Sequence, residues 1–270
     1  MREAVIVAGA RTPIGKAKKG SLAQMRPDDF GGIVVKETLK RAGYEGPIDD
    51  LIIGCAMPEA EQGMNVARLI GALAGLPDST PAITVNRFCS SGLQSIANAA
   101  ERIMLGHAKA ILAGGVESMS MIPMTGNTTR LNPTLAETAP QYYMGMGHTA
   151  EEVARRYEVS REEQDAFAVR SHELAEKAIK EGKFKDEIVP IEVTQHYVSK
   201  DNKPASRTFT FDTDEGVRPG TTVEGLAKLR PAFNVKGSVT AGNASQTSDG
   251  AAAVLVMDRE EAEAQGLQPM

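Results

Sequence analysis

Three features of the sequence predict an α/β fold: a mixed, mainly parallel five-stranded sheet with helices on both faces. Short apolar runs rich in Val and Ile alternate with stretches of helical periodicity as far as residue 118. A run of the same kind, DGAAAVLVMD at 249–258, returns near the end. Between them lies a long segment of different composition, which reads as an insertion into the sheet domain.

The first run, AVIVAGA (4–10), is continuously apolar and closes on small residues, the pattern of a strand buried on both faces. RPDDFGGIVVKETLKRAG (26–43) opens with acidic residues and ends on Gly43, which places a helix there. DLIIGCAM (50–57) is a second buried strand, with Cys55 read as a structural thiol inside it. GMNVARLIGALAG (63–75) sets Val66, Ala67, Ile70, Leu73 and Ala74 at helical spacing, and PAITV (81–85) is a third strand. Leu93, Ile96, Ala97, Ala100, Ile103 and Met104 then share one helical face, and Gly106 stops that helix. AKAILAGGVE (108–117) is the fourth strand and 249–258 the fifth.

From Met119 to Gly242 the pattern changes. MSMIPMTGNTTRLNPTLAETAPQYYMGMGHT is rich in Met, Pro, Thr and Gly and has little periodicity. Two capping boxes follow, Thr149 with Glu152 and Ser160 with Glu163, each announcing a helix. The second helix runs to Gly182, with Phe167, Leu174 and Ala178 as its apolar stripe. DEIVPIEV (186–193) and RTFTF (207–211) read as short strands. The expected organisation is a sheet domain of residues 1–118 and 243–270, interrupted by an inserted domain at 119–242.

Composition narrows the function classes. The chain has 270 residues, 41% hydrophobic and 24% charged, enough for a large core of ordinary globular make-up. A net charge of −5 argues against a nucleic-acid footprint. No apolar run approaches membrane-spanning length, and MREAVIVAGA passes straight into a strand without leader features, so no membrane partner and a cytoplasmic location are expected. Two cysteines, Cys55 and Cys89, make no disulfide framework, in keeping with a reducing compartment.

Cys89 stands where the third strand meets the following helix, in TVNRFCSSGLQSIANAAERI (84–103). The unpaired N–H groups and positive dipole end of a helix N-terminus favour a thiolate there. Ser90, Ser91 and Gly92 carry little bulk, and their N–H groups are candidate donors to an oxygen that turns negative beside the sulfur. The helix end supplies roughly 0.3–1 kcal/mol, so full activation needs a histidine or a cation from elsewhere. Position alone fits a packed structural thiol equally well.

Other patterns carry less. GARTPIGKAKKG (9–20) invites a phosphate-loop reading, but five residues separate Gly9 from Gly15 where four are needed, and Ala17 follows Lys16. AGGVES lacks the dinucleotide glycine order. His107, His148, His172 and His196 show no ligand spacing, so no metal site is expected. Between 217 and 236, Arg218, Lys228, Arg230 and Lys236 stand against Glu224 alone, a local excess of three positive charges. A solvated loop and a groove for a phosphate-bearing ligand both fit that excess.

NRFCSSGLQSI around Cys89 is similar to the nucleophile segment of thiolases, the acetyl-CoA acyltransferases. VIVAGARTPIGK, AGGVESMS, MGHTAEEVA, DEGVRPGTT, LRPAF and VTAGNASQTSDGAAAVLVM also resemble that family, in family order and over essentially the whole chain. The resemblance implies a thiolase-like layered fold with an inserted loop domain, closest to bacterial 3-ketoacyl-CoA thiolases of fatty-acid degradation. It implies that Cys89 attacks a 3-ketoacyl-CoA, releases acetyl-CoA, and holds the shortened acyl group until free coenzyme A removes it. Arg218, Ala244 and Ser245 are the implied coenzyme A contacts and Met146 lines the acyl end of the pocket. Coenzyme A is a substrate, no cofactor is implied, and the family forms homodimers and homotetramers.

The family's second half carries a Gly-His-Pro motif, an Asn-Glu-Ala-Phe segment and a second cysteine in a Gly-rich motif, and none of these occurs here. The expectation is therefore the nucleophile-bearing half of a thiolase, a fragment with little or no turnover alone. A biosynthetic acetoacetyl-CoA thiolase and a non-catalytic coenzyme A-binding or assembly fragment are the alternatives. A ketoacyl synthase shares the cysteine-at-helix arrangement but not this order of motifs.

Overall fold

The computed structural model describes all 270 residues. In chain order the elements are β1 (Ala4–Arg11), β2 (Gly15–Lys16), α1 (Pro27–Ala42), β3 (Asp50–Gly54), α2 (Val66–Ala74), β4 (Ala82–Val85), α3 (Ser91–Met104) and β5 (Ala110–Ser118). There follow α4 (Pro133–Thr138), α5 (Met146–Arg156), α6 (Arg161–Lys180), β6 (Ile191–Val198), β7 (Pro204–Phe211), α7 (Val223–Ala227), β8 (Ser248–Asp258) and α8 (Arg259–Ala264). Contacts divide the chain into two compact units: Met1–Asn127 with Lys185–Glu215 and Thr247–Met270, and Thr128–Phe184 with Gly216–Gln246.

The first unit holds the expected mixed sheet, ordered β1-β8-β5-β3-β4, with the short β2 also on β8. β8 is antiparallel to both β1 and β5, while β3 is parallel to β5 and β4. Four of the five main strands therefore run one way, and the returning segment 249–258 enters between β1 and β5. Strand alternation sorts the core onto two faces. Leu51, Ile53, Leu112 and Leu255 pack with Phe30, Val34 and Val35 of α1 and Val66 and Ile70 of α2. Ile52, Ile111 and Val256 pack on the other face with Ala99 and Ile103 of α3.

Two expectations are corrected here. The α3 face buries Ser91, Ser95, Ala99 and Ile103, whereas Leu93 is 72% exposed and Met104 also lies outward. The helix meets the sheet through Ser91, Ser95 and Ala99 as well as Ile103, and this rotation turns Leu93 and Met104 away. The strand expected at 186–193 begins at Ile191 and extends to Val198, pairing antiparallel with β7. Upstream of Pro190, Glu187 and Val189 instead exchange backbone bonds with Arg11 at 2.9 and 2.8 Å. The Arg11 guanidinium clamps Asp214 at 2.7 and 3.0 Å and Glu187 at 2.8 Å, fixing both ends of the 185–215 segment to β1.

In the second unit the Ser160–Glu163 capping box is fully formed, but the Thr149 cap is not. α5 starts a turn earlier, with Gly145 as N-cap; the Thr149 hydroxyl donates back to the Gly145 carbonyl, and Glu152 pairs with Arg155. The stripe expected on α6 is also displaced, since Phe167 is 70% and Leu174 52% exposed. What α6 buries is Asp165, which accepts from Arg161 at 2.8 Å and from the Asn243 amide at 2.9 Å.

Leu255→Ala, in the sheet centre, should lower unfolding stability by about 2–5 kcal/mol, while Leu73→Ala on the outer side of α2, half-exposed, should cost well under half as much. Urea titrations of the two variants check this.

Candidate active site around Cys89

β3, β4 and β5 are parallel neighbours, and their C-terminal ends lie on one edge of the sheet, the place where open α/β sheets present ligands. From the end of β4 the chain turns through 86–90 into α3. Asn86 shapes this turn: its Oδ1 accepts from the Phe88 N–H at 2.8 Å, and its Nδ2 donates to the Ala56 carbonyl at 3.0 Å. The Ser91 hydroxyl accepts from the Arg87 N–H at 2.8 Å and donates to the Phe88 carbonyl at 2.6 Å. Ser90 closes the same turn through its N–H and hydroxyl, both donated to the Arg87 carbonyl. Phe88 is thereby held left-handed, at φ +47°, a conformation that costs a bulky residue about 1–3 kcal/mol. Cys89 follows it, exposed, one residue before the Ser90 N-cap of α3.

The turn is seated by absent side chains. A Cβ on Gly54, at the end of β3, would run into the Ser91 backbone; one on Gly115, in β5, would touch the Gly92 Cα at 3.5 Å. Ser95 completes the docking by donating to the Gly114 carbonyl at 2.8 Å. The backbone donors differ from the sequence expectation. The Ser90 and Ser91 N–H groups are spent on Arg87 and Phe88, so the open donors at this helix end are those of Gly92 and Leu93.

Cys55 has the opposite environment. It is buried just past β3, and the Gln62 amide donates to its sulfur at 3.3 Å, to Met57 O at 2.9 Å and to Glu117 Oε1 at 2.6 Å. Burial, reinforced by the Glu117 charge, pushes this thiol up to about 12. Glu117 also accepts from the Ala56 N–H at 2.7 Å, and Ala56 is the residue whose carbonyl holds Asn86. Gln62 and Glu117 thus brace the Cys89 turn from beneath. Sequence reasoning missed the turn-forming side chains of Asn86 and Ser91, and passed over Gln62 and Glu117 altogether. The Asn-x-Phe and Ser-Ser spacing is Asx- and Ser-turn chemistry and was the available signal for the first two; the other two act only across strands.

The remaining expected residues belong to the second unit. Met146 is the first residue of α5 and 59% exposed, and its neighbour Gly147 has the Phe233 ring in the space a Cβ would take. Ala244 and Ser245 follow a turn in which the Ala244 N–H donates to the Thr240 carbonyl at 3.0 Å and Asn243 is anchored to Asp165. The Arg218 N–H donates to His172 Nδ1 at 3.3 Å, and its side chain is exposed without an ion pair. Gly216 lies against the Gln246 side chain, so the segments of Arg218 and Ser245 adjoin. Cys89 belongs to the other unit. No group of three or more His, Cys, Asp or Glu side chains is placed to hold a metal ion.

Residues 4–260 match the family described as thiolase, N-terminal domain. The chain is 70% identical over 271 residues to a 3-ketoacyl-CoA thiolase of Bacillus subtilis (strain 168), spanning 100% of this chain and 69% of that protein. It is 43% identical to a 3-ketoacyl-CoA thiolase of Escherichia coli O1:K1 / APEC, again over 100% of this chain and 68% of the relative. The crystal structure of the Bacillus anthracis acetyl-CoA acetyltransferase superposes with a TM-score of 0.85 at 39% identity, covering 100% of this chain and 69% of that one.

Asn86→Ala removes two bonds that set the turn and should cost about 1–3 kcal/mol while slowing iodoacetamide alkylation of Cys89, read by peptide mapping. In the folded chain at neutral pH Cys55 should stay unlabelled. Because folding holds its proton up to about 12, above an ordinary 9.0, Cys55 makes folding stability fall as pH rises from 9 towards 12. Cys55→Ala should flatten that limb in urea titrations across the alkaline range.

Proposed function

This chain belongs to the thiolase family of acyltransferases, and from that premise we propose that Cys89 is its nucleophile in the thiolytic cleavage of 3-ketoacyl-CoA during fatty-acid degradation. The observation that carries the reading is the exposed Cys89 in a turn held by Asn86, Ser90 and Ser91, one residue before the N-cap of α3.

In the proposed reaction the Cys89 thiolate adds to the 3-keto carbonyl, and the C2–C3 bond breaks. The electron pair of that bond leaves on the acetyl-CoA fragment, which takes up a proton. The shortened acyl group remains on Sγ as a thioester until the thiolate of a second coenzyme A attacks it and restores Cys89. The open N–H groups of Gly92 and Leu93 suit negative charge near the helix end. Arg218, in a basic stretch whose cations form no ion pairs, together with Ala244 and Ser245, is the proposed contact for coenzyme A, and Met146 for the acyl chain. Coenzyme A is substrate here, and no cofactor is invoked. A cytoplasmic location and assembly as a homodimer or homotetramer complete the proposal; no helix is long and apolar enough to cross a membrane.

These 270 residues by themselves are proposed to be an incomplete catalytic unit, because no histidine hydrogen-bonds Cys89 and proton transfer to and from carbon needs such a group. With acetyl-CoA the chain should become acetylated at Cys89, seen by peptide mass mapping and abolished in Cys89→Ser. Acetoacetyl-CoA thiolysis by the same chain should stay near background. Full turnover would refute the incomplete-unit reading, and equally slow alkylation of both cysteines with no acetylation would refute the nucleophile assignment.

A further inference from the structure

Away from the Cys89 turn, the first unit contains a cavity of about 700 Å³ whose wall includes Lys18, Lys19, Ser120, His196, Tyr197 and Arg207. One side is the loop 16–20, closed by the Gly20 N–H donating to the Lys16 carbonyl at 2.7 Å. Lys18 is left-handed there, at φ +67°, pinned by its N–H on the Ser120 hydroxyl at 2.6 Å. That hydroxyl donates in turn to Asp249 at 2.5 Å. On the other side, Gln24 and His196 exchange bonds of 2.9 and 2.8 Å, and Gln195 donates to the Gly20 carbonyl at 3.1 Å. The Arg207 guanidinium donates to Gln195 Oε1 and lies 5.3 Å from the Phe209 ring.

The wall of this cavity carries cations and no carboxylate. Acidic residues outnumber basic ones, 35 to 30, yet the Lys18, Lys19 and Arg207 side chains form no ion pair. The carboxylates beside the loop are occupied otherwise: Asp249 by the Ser120 N–H and hydroxyl, Glu215 by the N–H groups of Lys16 and Ser21 and by the Ser21 hydroxyl. Like charges gathered in one cavity repel, and a multiply charged anion relieves that repulsion where a monoanion would answer only one of them. The bonded walls form the site before a ligand arrives, which keeps its ordering cost low. Tyr197, 51% exposed, adds a flat apolar face suited to a ring. The volume falls in the range of roughly 300–1,000 Å³ typical of small-molecule sites.

We propose that this cavity binds a small molecule through a diphosphate group, supplied either by a free nucleoside diphosphate or by coenzyme A. Calorimetric titration of the full chain with sodium pyrophosphate at low salt tests it. Saturable one-to-one binding is expected, weakened about tenfold in Lys19→Ala/Arg207→Gln and falling steeply with added salt. Lys36→Ala, on exposed α1 surface, should leave it unchanged. Circular dichroism checks the fold, and if the double variant does not fold, Lys19→Ala alone should weaken binding about threefold. Competition by ADP or by coenzyme A identifies the source. Non-saturable heat, equal weakening by Lys36→Ala, or competition by neither compound would overturn the proposal.

Discussion

The first turn of α3 lies directly on the end of β3 and on β5, where Gly54 and Gly115 leave only the backbone to meet it. That contact sets the height at which Cys89 stands and dictates the chemistry of the turn before it. With no side chain available below, Asn86, Ser90 and Ser91 supply the bonds that hold Phe88 in its strained conformation. The strain is tolerated because three side chains bond the backbone of Arg87 and Phe88 at once; removing one leaves the others to carry an unfavourable backbone. Docking by small residues also explains why Leu93 and Met104 lie outward, although their spacing suggests a buried stripe.

Much of the sheet was legible in the sequence because buried strands announce themselves as continuous apolar runs. AVIVAGA, DLIIG and AILAGG each became a strand, and the late run at 249–258 rejoined the sheet. The position of Cys89 ahead of a helix was legible for the same reason. Helix orientation was less so. Periodicity says that a helix has an apolar face but not that a smaller one will be preferred where glycines invite close approach, as in α3. In α6 the buried group is a charged one, Asp165, whose partner Asn243 lies far along the chain. The network of Gln62, Glu117 and Ala56 is likewise long-range, and no local pattern encodes it.

The two cysteines illustrate how burial assigns different behaviour to one functional group. Both follow a strand of the same parallel set, yet Cys55 is enclosed and faces a carboxylate through the Gln62 amide, while Cys89 is open at a helix end. Glu117 serves both: its charge adds to the burial that keeps Cys55 protonated, and its second oxygen steadies the backbone that carries Asn86.

Enclosure of Cys55 leaves the chain with a solitary accessible thiol. A peroxide that converts Cys89 to a sulfenic acid meets no exposed neighbouring thiol in this chain with which to form an internal disulfide. Without a cap from an outside thiol or a backbone nitrogen, the sulfenate climbs to the irreversible sulfinic and sulfonic acids. The exposure of Cys89 therefore leaves its thiol open to oxidants, with small soluble thiols as a reversible refuge.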